Sequence, residues 1–222
     1  MSDLRETVIA WQLGWAASRE LPSAQPVDGG LRVECRQPLR DVEIFALHAD
    51  DDPDSVTRLA ELLPAETDTA WLTVATREPD RVAALLEAAG LEFYSRVEAL
   101  MTTDLRTQPV RPVAAPYRLH TEVTGPVVHV RVLADDGTEA AHGYAGLAGS
   151  YAVIDRILTA PEHRRRSLGT AVMTALAEAA IAAGAPQGLL VGSVEGQALY
   201  GSLGWSKVAD VLVAKLPGSP TA

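Results

Sequence analysis

The residues with the clearest chemical potential form a short basic segment directly before a predicted helix. The segment is His163-Arg164-Arg165-Arg166-Ser167-Leu168-Gly169-Thr170. Free backbone N–H groups at a helix start, the positive end of the helix dipole and nearby guanidinium groups all favour a bound phosphate. The alternative is a solvated run of arginines on an exposed loop. The predicted strand that ends at residue 159 and the turn at Pro161 favour the phosphate site.

Other residue types that could do chemistry lack a supporting pattern. The five histidines are scattered without a metal-ligand spacing, so no metal site is expected. Cys35 lies in a predicted strand at 31–35, where we expect a half-buried structural thiol. It has no second cysteine as a partner, which favours a reducing compartment. The glycine-rich segment 143–149 lies between two predicted strands, so close strand packing explains it better than a dinucleotide-binding loop.

Composition narrows the class of protein. The 222 residues carry a formal net charge of −10, and 47% of them are hydrophobic, which is enough for a globular core. The acidic balance argues against a nucleic-acid partner, because phosphate neutralisation needs a basic face. The chain shows no run of about 18 apolar residues and no signal-like start, so we expect neither membrane insertion nor secretion. A cytoplasmic location is therefore expected.

The patterning of the second half predicts the order ββββ-α-β-α-β. The predicted strands span 117–123, 127–134, 140–148, 151–159, 189–192 and 205–216. A helix is expected over 168–183, with Gly184 placed to end it, and a short helix over 197–203.

The first half echoes this order. Its predicted helices span 4–19, 53–63 and 80–89, and its predicted strands span 31–35, 42–48, 71–75 and 91–104. Three prolines within 107–116 indicate a linker, which divides the chain into domains 1–110 and 111–222. We interpret the two halves as a diverged internal repeat of α/β type with mixed sheets.

The segment 159–173 resembles the pyrophosphate-binding motif of the GNAT N-acetyltransferase superfamily. The family pattern is Gln/Arg-x-x-Gly-x-Gly/Ala. Arg164 takes the first position, Ser167 stands where glycine is usual, and Gly169 takes the last position. Serine still offers a backbone donor, but its Cβ narrows the approach of a ligand. A second register, 166–171, also fits the letters of the pattern.

A second landmark, at 197–205, resembles the family's Ala-x-x-Tyr-x-x-x-Gly-Phe segment. Tyr200 matches the tyrosine that commonly lies near the cofactor sulfur, and Glu195 stands where an asparagine is usual. Together the two landmarks extend the resemblance over roughly residues 117–216. The resemblance implies a tandem GNAT-like acyl-CoA acyltransferase fold in which the N-terminal domain is degenerate.

The resemblance also implies a set of site residues and acetyl-CoA as cosubstrate. The pyrophosphate would lie at Arg164, Arg165, Arg166, Ser167, Leu168, Gly169 and Thr170. The pantetheine arm would hydrogen-bond, as an extra strand does, to the end of the fourth strand at Ile157, Leu158 and Thr159. Tyr200 could protonate the departing thiolate, or it could pack as ordinary core between helix and sheet.

Transfer to an amine requires a group that removes a proton, because an ordinary alkylamine is mostly charged at neutral pH. Asp155, beside the expected acetyl site, is the first candidate. Asp155 could equally pair with Arg156 or another arginine as a structural bridge. Glu195 is the second candidate, with a helix-capping role as its alternative.

The first half differs from the second at the counterpart of the arginine loop. This counterpart, 48–55, contains Asp50, Asp51 and Asp52, which would repel a pyrophosphate and suit a helix start through the helix dipole. The first half is therefore not expected to bind CoA.

The acceptor side of the second half is expected to be open. Only a short turn fits between the strands that end near Val123 and begin near Val127, where family members usually place helices that wall the acceptor site. We hypothesise that the helix bearing Trp11 and Trp15 closes this groove. The alternative is that both tryptophans are core residues of their own half.

The leading hypothesis is an N-acetyltransferase that acts on a small-molecule or peptide amine. A non-catalytic acyl-CoA sensor or interaction module is the main rival, and nucleotide binding through the arginine loop is a third possibility. No nucleic-acid or membrane partner is expected, and a homodimer is left open.

Overall fold

One mixed sheet runs through the protein. A computed structural model describes residues 3–37, 39–67 and 69–219, and over these residues eleven strands form the sheet in the order β1-β2-β3-β4-β11-β5-β10-β9-β8-β7-β6. The expected mixed α/β fold is confirmed. Among the described residues no helix is long and apolar enough to cross a membrane.

The first half supplies three helices and five strands of the described chain. They are α1 (Leu4–Ser18), β1 (Gln25–Val27), β2 (Gly30–Gln37), β3 (Arg40–Ala46), α2 (Asp54–Leu62), β4 (Ala70–Thr76), α3 (Pro79–Ala88) and β5 (Glu92–Asp104). All predicted elements of this half are confirmed to within a few residues. The short edge strand β1 was not predicted, because three residues carry no periodicity.

The second half follows the predicted order ββββ-α-β-α-β. Its elements are β6 (Arg118–Thr124), β7 (Val127–Leu133), β8 (Glu139–Ala148), β9 (Tyr151–Thr159), α4 (Leu168–Ala182), β10 (Gln187–Gly192), α5 (Val194–Ser202) and β11 (Ser206–Lys215). Alanine-rich α4 packs its apolar side chains against β6 to β9. This packing fixes the position of the arginine-rich loop that precedes α4.

The two halves exchange strands at the centre of the sheet. The last strand, β11, lies between β4 and β5 of the first half and pairs antiparallel with both. Strand β5 lies between β11 and β10 of the second half, also antiparallel. The two halves therefore share one continuous sheet, in which each half supplies a strand that lies between two strands of the other half.

Helix α1 belongs to the first half in sequence but rests on the second half. A Cβ added to Gly146 on β8 would lie 1.8 Å from the carbonyl oxygen of Gly14 on α1, so only glycine permits this approach. On the same strand, a Cβ at Gly143 would lie 2.3 Å from Cδ1 of Ile157. Close packing of the segment 143–149, predicted from its glycines, is thus confirmed.

The predicted linker after β5 has no helix or strand over 108–117, but it is bound to the second half. The side chain of Gln108 donates to the carbonyl of Met173 at 3.0 Å and accepts from Nε1 of Trp205 at 2.9 Å. The backbone N–H of Arg111 donates to Oγ1 of Thr174. These bonds hold the segment along α4.

Cys35 is a structural thiol, as expected, and it is more buried than predicted. It is 3% exposed, and burial raises the pKa of its thiol to about 12. A thiol that keeps its proton at neutral pH is a poor nucleophile.

Candidate active site

A cleft opens where β9 separates from β10. The parallel pairing comprises Tyr151 with Gln187, Ala152 with Gly188 and Val153 with Leu189, and it ends there although both strands continue. The remaining length of β9 therefore has an edge that β10 does not use.

A bulge accompanies this separation. The register between β8 and β9 shifts between the pairs His142 with Leu158 and Tyr144 with Asp155, and Arg156 has a φ of 52°. A bulge bends its strand and strengthens the local twist. Beyond it lie Ile157, Leu158 and Thr159, the residues expected to bind the pantetheine arm. Leu158 is 53% exposed here, an apolar side chain without cover in the protein.

The first-half strands that the internal-repeat interpretation matches to β9 and β10 do not separate. β3 and β4 pair in parallel over five residues, from Val42 with Ala70 to Ala46 with Val74, where β3 ends. Beyond this point Asp50 accepts hydrogen bonds from Oγ1 of Thr76 and from the backbone N–H of Arg77. Asp50, in the acidic counterpart of the arginine loop, therefore links that loop to the end of β4.

The loop before α4 has the backbone shape of an anion site. Arg165 and Ser167 both have left-handed conformations, with φ of 62° and 60°, and α4 begins at Leu168 with no side-chain cap on its first N–H groups. A helix start without a side-chain cap leaves its first N–H groups available to an anion. The left-handed φ also explains why glycine is usual at the position of Ser167.

The arginines of this loop differ in how far the protein engages them. Nη1 of Arg166 donates to the hydroxyl of Tyr117 at 2.6 Å, and that hydroxyl lies 3.0 Å from Nδ1 of His163. Nε of Arg164 makes a long contact of 3.4 Å with the carbonyl of Thr159. Arg165 is exposed and makes no side-chain hydrogen bond within the described part of the chain. It is thus available to a ligand at the helix start.

The protein itself does not require a glycine at position 169. A Cβ there would meet Cδ2 of Leu199 at 3.5 Å and Oγ1 of Thr159 at 3.8 Å, both ordinary contacts. The missing side chain instead leaves room over the start of α4. Together with the uncapped N–H groups and the arginines, this room suits an anionic group such as a phosphate.

A cavity of about 420 Å³ lies between the two halves, next to the cleft. The first half lines it with Trp11, Trp15 and Trp71, and the second half with Asp155 and Tyr200. The tryptophans of α1 thus lie where the hypothesis of a closing helix requires them. They also pack against Phe45, with ring centroids 5.3 Å away in both cases, so the core alternative applies as well.

Asp155 lies in this cavity as an ion-pair partner. Nε and Nη2 of Arg19 donate to its two oxygens at 2.7 and 2.9 Å. Oγ of Ser18 donates to Oδ2, and the backbone N–H of Arg156 donates to Oδ1. Each oxygen therefore already accepts two hydrogen bonds, an arrangement that suits the structural-bridge alternative, with Arg19 as the principal partner.

Tyr200 projects from α5 into the cavity. Its ring covers Gly192 and Gly196, where added Cβ atoms would lie 3.1 and 2.9 Å from ring carbons. Burial raises the pKa of its hydroxyl, and the charge of Asp155 raises it further. Tyr200 therefore stays protonated at neutral pH, as a proton donor must.

Glu195 lies outside the cavity, in the exposed first turn of α5. Hydrogen bonds from its own backbone and from Ser193 lower the pKa of its carboxyl. A carboxylate at this place stabilises the helix through the dipole. The N-cap of α5 is Ser193, whose side chain accepts from the N–H of Gly196, so Glu195 is not the capping residue that the alternative expected.

Charged residues of the first half complete the cavity wall, and the sequence patterns did not single them out. Nη1 of Arg40 and Oγ1 of Thr73 donate to Glu43, at 3.0 and 2.6 Å. Burial raises the pKa of Glu98 on β5, and the charge of Glu43 adds to this effect while Arg40 opposes it. The available signal was a glutamate inside an otherwise apolar strand, as at Val42-Glu43-Ile44.

Within the described residues, no group of three or more His, Cys, Asp or Glu is arranged to hold a metal ion. The candidate site residues described above are backbone donors, arginines, a tyrosine and carboxylates.

Sequence comparison identifies the family of the segment that carries this cleft and loop. Residues 96–205 match the model of the acetyltransferase (GNAT) family, a range that runs from β5 to the end of the second landmark. Residues 96–205 therefore form a domain of the GNAT acetyltransferase family. No curated protein matches the sequence.

Solved structures share the fold over 82% to 98% of the chain. A GCN5-related N-acetyltransferase from Kribbella flavida is 16% identical, with a TM-score of 0.71 over 98% of this chain and 97% of that one. A tandem GNAT protein from the clavulanic acid biosynthesis pathway is 16% identical, with a TM-score of 0.56 over 82% and 76%. An acetyltransferase of the family from Novosphingobium aromaticivorans is 19% identical, with a TM-score of 0.57 over 96% and 97%.

Proposed function

We propose that the protein is an N-acetyltransferase that moves the acetyl group of acetyl-CoA to an amine. The observation that carries this proposal is the separation of β9 from β10 beyond Val153 and Leu189, between an arginine-flanked helix start and a cavity of about 420 Å³. Bound there, acetyl-CoA supplies a reactive acetyl thioester.

The residues of the second half are assigned to parts of acetyl-CoA and to proton transfer according to their positions. The unpaired edge of β9 at 157–159 would hold the pantetheine arm, and the N–H groups at 167–170, with Arg164 to Arg166, would hold the pyrophosphate. Tyr200, kept protonated by burial, would donate a proton to the leaving sulfur. Asp155 would position the cavity wall through its pair with Arg19.

The first half, 1–110, would be a degenerate GNAT-like domain without a donor site. Its equivalent strands stay paired to the end of β3, and Asp50 joins the loop beyond them to β4. Its role in this proposal is to wall the acceptor cavity of the second half, 111–222, through α1, β3 and β5.

The proposal is tested on the full chain by two measurements made together. CoA should raise the melting temperature, and acetyl-CoA should be consumed in the presence of one or more members of a panel of primary amines. Stabilisation by CoA with no turnover on any amine would favour the sensor instead. A stabilisation by ATP at least as large as that by CoA would favour nucleotide binding.

A further inference from the structure

Three carboxylates of the described chain line the central cavity, and their partners differ. Asp155 is paired with Arg19, and Glu43 with Arg40. Glu98 makes no hydrogen bond and no ion pair with any described residue. A half-buried carboxylate without a partner is unfavourable for the protein alone, which makes it a candidate binding group for a cation.

Arg156, the remaining cationic side chain of the cavity wall, contacts other groups. The guanidinium of Arg156 lies 3.8 Å from the ring centroid of Tyr144, and it donates to the carbonyl of Ser18. Arg19 and Arg156 are thus engaged by other groups, and Arg40, which pairs with Glu43, offsets the negative charge of Glu98 only in part.

The backbone on either side of Glu98 is fixed next to the helix that carries Tyr200. Nε2 of Gln197 on α5 donates to the carbonyl of Val97 at 2.9 Å, and Ala99 pairs with Gly192 at the end of β10. Glu98 and Tyr200 therefore face one cavity from adjoining elements, as a proton acceptor and a proton donor for one reaction should.

The cavity wall near Glu98 is aromatic. Trp71 and Tyr94 pack with ring centroids 4.3 Å apart. Cζ of Arg40 lies 5.1 Å from the ring centroid of Trp71 and 5.4 Å from that of Trp15. Trp71 is 8% exposed, and its Nε1 has no hydrogen-bond partner among the described residues. Aromatic faces attract an ammonium group and also cover an apolar body.

We propose that Glu98, a residue of the first half, binds the ammonium of a small primary amine with an aromatic or apolar body and accepts its proton. This inference rests on the proposed acetyl transfer and assigns its acceptor class. A cavity of about 420 Å³ is in the range of small-ligand sites, which favours a small amine over a folded protein surface.

The reaction balances with two proton-handling groups. Glu98 takes one proton from the ammonium, and the freed nitrogen forms a bond to the acetyl carbon as the carbon–sulfur bond breaks. Tyr200 gives its proton to the sulfur and recovers the second proton that the nitrogen loses. Glu98 then releases its proton to solvent, so that amide, thiol and one proton are the products.

The electrostatics of the cavity fit this role. Burial raises the pKa of Glu98, the charge of Glu43 raises it further and Arg40 partly opposes the shift. A base whose pKa moves toward neutrality accepts a proton more effectively at the pH of the reaction.

Binding of phenethylamine to the full chain tests the anchor directly. Three of the four tryptophans line the cavity, so intrinsic fluorescence reports occupancy. Glu98→Gln should weaken phenethylamine binding by about 10- to 100-fold, the loss of one charge-assisted contact. It should leave binding of 2-phenylethanol and the thermal shift with CoA unchanged. Glu92→Gln, an exposed change on the same strand, should bind phenethylamine as the wild type does.

Turnover separates this inference from the proposed function. Glu98→Gln should lower kcat at pH 7 by at least about 100-fold and regain activity as the pH approaches the pKa of the amine, because less proton removal is then needed. Equal phenethylamine binding by Glu98→Gln and wild type, or wild-type binding no tighter than that of the alcohol, overturns the inference. Wild-type binding of both CoA and amine without turnover overturns the proposed function instead.

Discussion

Arg19 and Asp155 join the last turn of the first-half helix to the strand that opens the cleft. Both oxygens of Asp155 accept from the guanidinium, at 2.7 and 2.9 Å, and the two side chains are only 20% and 14% exposed. Because β9 has left β10 at this point, the pair holds the cavity wall where the sheet does not.

Replacement of Asp155 by asparagine should therefore destabilise the protein. We expect a loss of about 1–3 kcal/mol in the free energy of unfolding, because Arg19 loses a charged acceptor at a partly buried site. Urea unfolding measures this loss, and Arg19→Gln combined with Asp155→Asn should cost less than the sum of the single changes.

The same variant distinguishes a positioning role of Asp155 from a role as the general base. Asp155→Asn should keep the decline of kcat/KM toward acidic pH, because we assign this decline to protonation of Glu98. If this decline disappears while stability stays at the wild-type level, Asp155 is the base.

Ser167→Gly should stabilise the loop before α4. Ser167 holds a φ of 60°, which costs a residue with a Cβ about 1 kcal/mol and costs glycine little. We expect a higher melting temperature and tighter binding of CoA, measured by differential scanning fluorimetry and calorimetry. Ser167→Ala is the control, since alanine keeps the Cβ. Equal behaviour of the two variants would contradict this account.

Arg165→Ala should weaken CoA binding without affecting the folded protein. The side chain is exposed and bonds to no described residue, so its loss removes only an attraction for phosphate. We expect an affinity about 5- to 10-fold lower, with a smaller difference at high salt. Arg131→Ala, at an exposed position on β7, should leave the affinity unchanged. A lower melting temperature of the ligand-free Arg165→Ala variant would instead indicate a structural role.

Tyr200→Phe should lower kcat about 100-fold while CoA affinity stays the same. The ring that covers Gly192 and Gly196 is retained, and only the proton is lost. The raised pKa of Tyr200 further predicts that wild-type kcat does not decline between about pH 8 and 9.5. Tyr144→Phe, outside the cavity, serves as the matched control. Full activity of Tyr200→Phe would show that the hydroxyl of Tyr200 is not the proton donor.

Glu98→Gln should make the protein more stable at neutral pH. The pKa of Glu98 is raised above its ordinary value of 4.5, so the folded protein binds this proton more tightly than the unfolded chain does. Below pH 4.5 the carboxyl is neutral in both states, and the wild type is at no disadvantage from its charge. As the pH rises through the raised pKa, the wild type loses stability relative to the variant.

Melting curves between pH 4 and 8 measure this difference. The gap between Glu98→Gln and the wild type should widen with pH and then level off, whereas Glu92→Gln should follow the wild type throughout. A gap that does not change with pH would mean that the charge of Glu98 is compensated in the folded protein.

Local patterns were sufficient for much of the fold and part of the site. The alternation of β6 to β9, the alanine-rich α4 and the glycine after it are signals within a few residues of each other, so their positions could be predicted. The same holds for the loop before α4, whose backbone shape follows from its place at a helix start.

The exchanged strands and the cavity could not be predicted in this way. Strand β5 has its neighbours in β10 and β11, far along the chain, and no local pattern selects an antiparallel partner at that distance. The partner of Asp155 is Arg19, 136 residues away, although Arg156 is adjacent in sequence. Glu98 and Tyr200 likewise line one cavity only because the sheet joins segments that are distant in sequence.

The exchange of β5 and β11 has a consequence for the folding of the chain during its synthesis on the ribosome. While the nascent chain ends before residue 187, β5 has neither neighbour, and the edges of β4 and β5 expose unpaired backbone groups. Such edges invite pairing with other chains, and pairings so distant in sequence form slowly. We therefore expect truncated translation products to aggregate and the full chain to acquire protease resistance only after its last strand has been synthesised, in a single late step.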